Sequence, residues 1–175
     1  MKKCVFLDRD GIVNRRVMDG YVESWEGFEL LPEFPELLRK VSAMGYVAVI
    51  ITNQRGVARG IMSREAVDAI HASLKVMLEH DFGLHLLDVM VCPHERDSCT
   101  CRKPQPRMIL DAAEKHGIDL ASSWMIGDTE SDVEAGRRAG CRSILVSDEP
   151  VETVASVRLA SMRELVWRIE ELLVD

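Results

Sequence analysis

Val5-Phe6-Leu7-Asp8-Arg9-Asp10-Gly11-Ile12-Val13-Asn14 is an apolar run that stops abruptly on two aspartates and a glycine. The run reads as a buried strand, and Asp-x-Asp-Gly is by itself a common turn composition. A buried strand that delivers paired carboxylates to its end, next to a flexible turn, is also a place to build a metal-dependent nucleophile. The rest of the chain decides between these readings.

Downstream, short apolar runs alternate with amphipathic stretches. Pro32 to Met44 carries Phe34, Leu37, Leu38 and Val41 at helical spacing, with Pro32 suited to a first turn and Gly45 to a stop. Tyr46 to Thr52 is rich in β-branched residues and predicts a strand. Ser63 caps a long helix whose Val67, Ile70, Leu74, Met77 and Leu78 share one face. Leu86 to Cys92 predicts a third strand, and Arg107 to His116 a helix ended by Gly117. Ser123 to Gly127 and Ser143 to Ser147 predict further strands around a helix over 131–139. Ser161-x-x-Glu164 is a capping box opening a terminal helix with Leu165, Ile169, Leu172 and Leu173 inward. Repeated strand-helix order implies an α/β protein of three layers, a Rossmann-like parallel sheet with helices on both faces.

The chain has 175 residues, enough for one domain over 1–175 and too few for two comfortable ones. A formal charge of −7 argues against nucleic acid and anionic membrane surfaces, which need clustered cations. The longest apolar run, Tyr46 to Ile51, is far short of a membrane span, and Asp8 and Arg9 interrupt any secretory core. A cytoplasmic monomer is the expectation. The five cysteines are an odd set, with three crowded into 92–101, which fits reduced thiols better than a disulfide scaffold. Cys4 and Cys141 lie in strand-like settings and read as small buried hydrophobes.

In parallel sheets, ligands bind beyond the carboxyl ends of the strands. The chemically capable residues fall there. Asp8 and Asp10 follow the first strand, Thr52-Asn53-Gln54-Arg55-Gly56 the second, and Gly127-Asp128-Thr129-Glu130-Ser131-Asp132 the fourth. Asp132 reads as a helix cap or as a hard oxygen ligand for magnesium. Arg102-Lys103-Pro104 sets two cations in a stiff loop. The third strand runs into Cys92-Pro-His94-Glu-Arg-Asp-Ser-Cys99-Thr-Cys101, three thiolates and an imidazole that suit tetrahedral zinc with no open position. Such a closed site is structural; it would stabilise the 92–101 loop and aim Arg102 and Lys103.

Asp8-x-Asp10-Gly11, Thr52-Asn53, Lys103 and Gly127-Asp128-x-x-x-Asp132 together resemble the four motifs of the haloacid dehalogenase-like (HAD) phosphatases. The zinc loop directly before Arg-Lys-Pro is similar to that of the D-glycero-D-manno-heptose 1,7-bisphosphate 7-phosphatases and the related histidinol-phosphatases. Asp19 to Val22 and Thr52 to Gly60 lean towards the heptose branch.

The resemblance implies a magnesium-dependent phosphatase acting on a small phosphorylated sugar, with no separate cap domain. Asp8 would be nucleophile and Asp10 general acid and base, with Thr52 and Lys103 holding the phosphoryl group. Magnesium would rest on Asp8, the backbone carbonyl of Asp10, and Asp128. Sugar and distal-phosphate contacts would come from Met18, Asp19, Gly20, Tyr21, Thr52, Asn53, Gln54, Arg55, Arg102 and Lys103. Ile12 stands where many superfamily members have threonine, and Thr129 where heptose-type relatives often have lysine. The competing readings are hydrolysis of histidinol phosphate or another small sugar phosphate, and a zinc-stabilised interaction module without catalysis.

Overall fold

The computed structural model describes residues 1–174. Six strands form one parallel sheet in the order β3-β2-β1-β4-β5-β6. They are β1 (Lys3–Leu7), β2 (Tyr46–Asn53), β3 (Asp88–Cys92), β4 (Trp124–Gly127), β5 (Arg142–Val146) and β6 (Val157–Leu159). Five helices cover it: α1 (Phe34–Ala43), α2 (Arg64–Phe82), α3 (Arg107–His116), α4 (Glu130–Ala139) and α5 (Met162–Leu172).

Alternation along the strands builds two cores. Val5 and Leu7 of β1, Ala48 and Ile50 of β2, and Trp124 and Ile126 of β4 pack with α1, α2 and α5. Cys4, Phe6, Val49, Ile51 and Met125 point the other way, onto α3 and α4. This is the expected three-layer arrangement. Cys4 and Cys141 are buried in the second core, as expected of small hydrophobes. Among the described residues no helix is long and apolar enough to cross a membrane.

Local chemistry accounts for the ends. Ser63 caps α2 by accepting from Ala66 N at 3.0 Å, and Gly83 ends it in the left-handed region. At α5, Ser161 accepts from Glu164 N at 3.2 Å, while the Glu164 carboxylate reaches back to Ala160 N at 2.7 Å.

Several boundaries differ from expectation. Pro32 lies outside α1, whose first turn holds Pro35 instead; a turn closes from Leu31 O to Phe34 N at 3.0 Å, so the helix starts later. β3 begins at Asp88 rather than Leu86. The edge strand β6 was not expected: it is three residues long, with exposed Arg158 at its centre, too short to show a pattern.

The topology positions the site. From β1 the chain steps outward through β2 to β3, then returns to the other side of β1 as β4. The loops leaving β1 and β4 therefore diverge and open a crevice. Leu7 pairs with Ile126, so Asp8 and Asp128 leave adjacent strands within one residue of each other's level.

Candidate active site

Asp8 continues β1, its amide donating to Ile126 O at 2.9 Å. Its Oδ1 lies 2.6 Å from Lys103 Nζ, and the same ammonium lies 2.6 Å from Asp132 Oδ1 and donates to Ile51 O at 2.8 Å. Lys103 is 4% exposed, Asp8 7% and Asp132 1%, so these charges face one another away from bulk water. Asp128 closes the group: oxygens of Asp8, Asp128 and Asp132 lie within 4.8 Å of one another. Gly11 makes that approach possible. Its φ is +100°, and a Cβ there would overlap the Asp128 carboxylate.

Three carboxylates around one buried ammonium leave the site short of positive charge. Burial and the neighbouring Asp132 charge push the Asp8 carboxyl up to about 8, against the pull of Lys103. Burial likewise pushes Asp128 up to about 6, with Asp132 adding to it and Arg16 and Lys103 opposing. Burial works against the Lys103 charge, but Asp132 and Asp8 outweigh it and hold the ammonium above the usual lysine range. A hard oxygen cluster with uncompensated negative charge is what a divalent cation such as magnesium requires, so the donor set fits that ion.

Asp10 is in a different setting. Its Oδ1 accepts from Arg9 at 2.9 Å and from Asn14 Nδ2 at 3.0 Å; its Oδ2 accepts from Gln54 Nε2 at 3.0 Å. Burial raises its pKa, yet Arg9 and these hydrogen bonds outweigh it and hold the carboxyl below its usual range. Two carboxylates two residues apart are thus driven in opposite directions, Asp8 up by burial and its acidic neighbours and Asp10 down by Arg9 and its hydrogen bonds.

The remaining expected residues surround this centre. Gln54 Nε2 also donates to the buried Thr52 hydroxyl at 2.8 Å. Asn53 accepts from Lys103 N at 3.1 Å and donates to Lys103 O at 3.3 Å, so its amide clamps the lysine loop. A cleft of about 410 Å³ is lined by Asp19, Gly20, Tyr21, Asn53, Arg55, Arg59 and Arg102. Met18 is 79% exposed, whereas its neighbour Val17 lines the adjoining cleft beside Asp10.

Some site residues were not anticipated. Arg16 reaches Asp128 Oδ1 at 2.8 Å, and Arg59 joins Arg55 on Glu95 at 3.0 and 3.3 Å. Asp132, expected as a helix cap or metal ligand, does cap α4, accepting from Thr129 N at 3.1 Å and its hydroxyl at 2.8 Å, and in addition pairs with Lys103, which was not foreseen. The Gly-Asp-x-x-x-Asp spacing was the signal available for it. Arginines on the rim of an acidic protein make the cleft locally attractive to anions.

The Cys92, His94, Cys99 and Cys101 donor atoms also gather within 4.8 Å. Cys92–Cys99, Cys92–His94, His94–Cys101, Cys101–Cys92 and Cys101–Cys99 stand 3.6, 3.7, 3.2, 3.1 and 3.4 Å apart. A tetrahedral zinc with Zn–S of about 2.3 Å sets its ligands roughly 3.7 Å apart, so the cage fits that ion and closes around it. Arg102 extends from this loop, donating to His94 O at 3.5 Å.

The family model described as "HAD-hyrolase-like" matches residues 100–156. A Helicobacter pylori J99 protein named D-glycero-beta-D-manno-heptose-1,7-bisphosphate 7-phosphatase is 37% identical over 94% of this chain and 95% of its own. A Mycobacterium bovis protein named as the alpha-anomer enzyme is 38% identical over 92% and 88%. Among solved structures, the D,D-heptose 1,7-bisphosphate phosphatase from B. bronchiseptica, complexed with magnesium and phosphate, superposes with a TM-score of 0.84. It is 29% identical and covers 97% of this chain and 99% of that one.

Proposed function

Because the chain belongs to the heptose bisphosphate phosphatase family of HAD-like hydrolases, we propose that it hydrolyses the 7-phosphate of D-glycero-D-manno-heptose 1,7-bisphosphate through an aspartyl-phosphate on Asp8. The whole chain acts as one catalytic domain. The observation that carries this reading is the convergence of Asp8, Asp128 and Asp132 on the Lys103 ammonium at the ends of β1 and β4.

Lys103 engages Asp8 Oδ1, which leaves Oδ2 to attack phosphorus. The new Asp8–phosphorus bond forms as the bond to the sugar oxygen breaks, and that oxygen takes a proton from Asp10. Asp10, now a carboxylate, removes a proton from water; the water attacks phosphorus and Asp8 is regenerated. Asp10 Oδ1 already accepts two hydrogen bonds and Oδ2 only one, so Oδ2 is the oxygen that handles the proton. Lys103 and Thr52 would neutralise phosphoryl oxygens while Asn53 keeps the lysine in place. Magnesium held by Asp8, Asp128 and the Asp10 carbonyl would supply charge neutralisation between nucleophile and incoming dianion. The cleft bearing Arg55, Arg59 and Arg102 would receive the sugar and its second phosphate.

The direct test is phosphate release from both heptose bisphosphate anomers, histidinol phosphate and simple sugar phosphates, with and without magnesium. Highest kcat/KM on a heptose bisphosphate, lost without magnesium, is expected; preference for histidinol phosphate would overturn the substrate assignment.

Metal binding should be linked to pH. A carboxyl whose pKa is raised in the folded protein stabilises it below the unfolded value, and that contribution is lost as pH rises through the folded one. For the metal-free protein the losses run upward from the ordinary value of 3.8, ending near 6 for Asp128 and near 8 for Asp8. The cation competes with those protons, so its affinity should rise by up to about tenfold per pH unit for each proton displaced. Calorimetric titration with magnesium at pH 6 and pH 8, in buffers of different ionisation enthalpy, checks this; pH-independent affinity without proton release would contradict it.

The cysteine loop would hold one structural zinc. Elemental analysis of reduced, metal-replete protein should find about one zinc per chain. Cys101→Ser should lose it, loosen 92–103 to proteolysis and lower kcat/KM by about tenfold or more, because Lys103 is aimed from that loop. Full activity in a zinc-free variant would remove the positioning role.

A further inference from the structure

We propose that His71, on α2 and outside the carboxylate cluster, is a positioning residue for the acid–base group: its Nε2 holds the Arg9 guanidinium, and Arg9 fixes Asp10 Oδ1 so that Oδ2, which accepts only from Gln54, carries the proton. The inference rests on the reading of Asp10 as general acid and base.

Arg9 is 1% exposed, and its Nε has no hydrogen-bond partner. Two contacts hold the guanidinium: one terminal nitrogen donates to Asp10 Oδ1 at 2.9 Å, the other meets His71 Nε2 at 3.3 Å. A buried guanidinium is costly unless paired. The β1 loop supplies its carboxylate, but the second partner arrives from a helix 62 positions away.

A histidine among Val67, Ile70, Leu74 and Leu78 on a buried helix face is usually core filling. Here its polar atom is aimed at the one buried cation beside the acid. To accept from Arg9 the ring must be neutral, with its proton on Nδ1. Burial and Arg9 push its pKa down to about 4, with Arg64 adding to them and Asp68 and Asp10 opposing. The acceptor is therefore retained at any working pH near neutrality. Without it, the guanidinium keeps one fixed contact and can swing, leaving Asn14 as the fixed partner of Asp10 Oδ1.

Proton donation matters when the departing oxygen is an alkoxide and matters little when it is a stabilised phenolate. A defect transmitted to Asp10 must therefore be selective for the leaving group, whereas general loosening of the fold must not be.

The test compares kcat and KM for the heptose bisphosphate and for p-nitrophenyl phosphate in the parent, His71→Leu, His71→Gln and Asp10→Asn proteins, each loaded with magnesium. His71→Leu should lose about tenfold in kcat on the sugar phosphate and less than about twofold on the aryl phosphate, with KM little changed. His71→Gln, whose amide oxygen can accept from Arg9, should recover most of that loss. Equal losses on both substrates, no loss, or no difference between Leu and Gln would overturn the proposal. Asp10→Asn separates the two levels. If it is selective and His71→Leu is not, the positioning role alone fails; if Asp10→Asn is itself unselective, the acid assignment fails and the inference with it. Should His71→Leu not fold, His71→Asn, which draws the acceptor back from Arg9, takes its place under the same criteria.

Discussion

Asp8→Asn should lower kcat on the sugar phosphate by at least about 10⁴-fold, because the amide is no nucleophile and nothing else in the cluster can replace it. Asp132 is committed to Lys103 and to the α4 cap, and Asp10 is hydrogen-bonded on both oxygens. The substitution should not cost stability. It removes one of three crowded carboxylates, the one whose charge the site resists most, as its pKa of about 8 records. The thermal midpoint of metal-free Asp8→Asn at pH 8 should be no lower than that of the parent protein. Wild-type turnover by a well-folded Asp8→Asn would exclude covalent catalysis; an unfolded variant would mean that Asp8 has a structural role that the charge balance does not show.

Lys103→Met is expected to fail in the opposite way, losing both activity and stability. The ammonium is 4% exposed and contacts Asp8 and Asp132 at 2.6 Å each. Removing one partner of a buried ion pair leaves uncompensated charge and costs about 3–5 kcal/mol. The variant's stability should fall as pH rises towards 8, because without the lysine Asp8, already pushed up to about 8, holds its proton still more tightly in the folded protein than in the unfolded chain. Activity should fall by about 10²- to 10³-fold, the usual cost of losing one preorganised donor to the transferring group. Urea unfolding at pH 5.5 and pH 8, with and without magnesium, reads the stability term. A variant equally stable at both pH values would show that Lys103 does not hold the cluster's charge.

The candidate clusters were legible in the sequence wherever one short segment carries them. Asp8 and Asp10 end a buried strand, Asp128 follows β4 just ahead of the α4 cap, and Cys92, His94, Cys99 and Cys101 lie within ten residues. Strands β1, β2 and β4 and helices with clear caps or stops, such as α2 and α3, were readable for the same reason: their signals are local. What stayed hidden depends on distant partners. The Arg16–Asp128 contact joins residues 112 positions apart, and Arg9–His71 joins residues 62 apart. Nor could spacing show that both ends of the Asn53 amide are taken up by the Lys103 backbone, or that Asp132 serves as cap and counter-ion together. In β6 the exposed Arg158 interrupts a strand whose pairing with β5, not its composition, defines it.

The stereochemical course at phosphorus bears most directly on whether Asp8 carries the phosphoryl group. A heptose bisphosphate analogue with a 7-phosphorothioate made chiral by 17O and 18O, hydrolysed in ordinary water, should give inorganic thiophosphate with retained configuration, since attack by Asp8 and then by water inverts the centre twice. Inverted thiophosphate would mean a single displacement by water and would contradict the account.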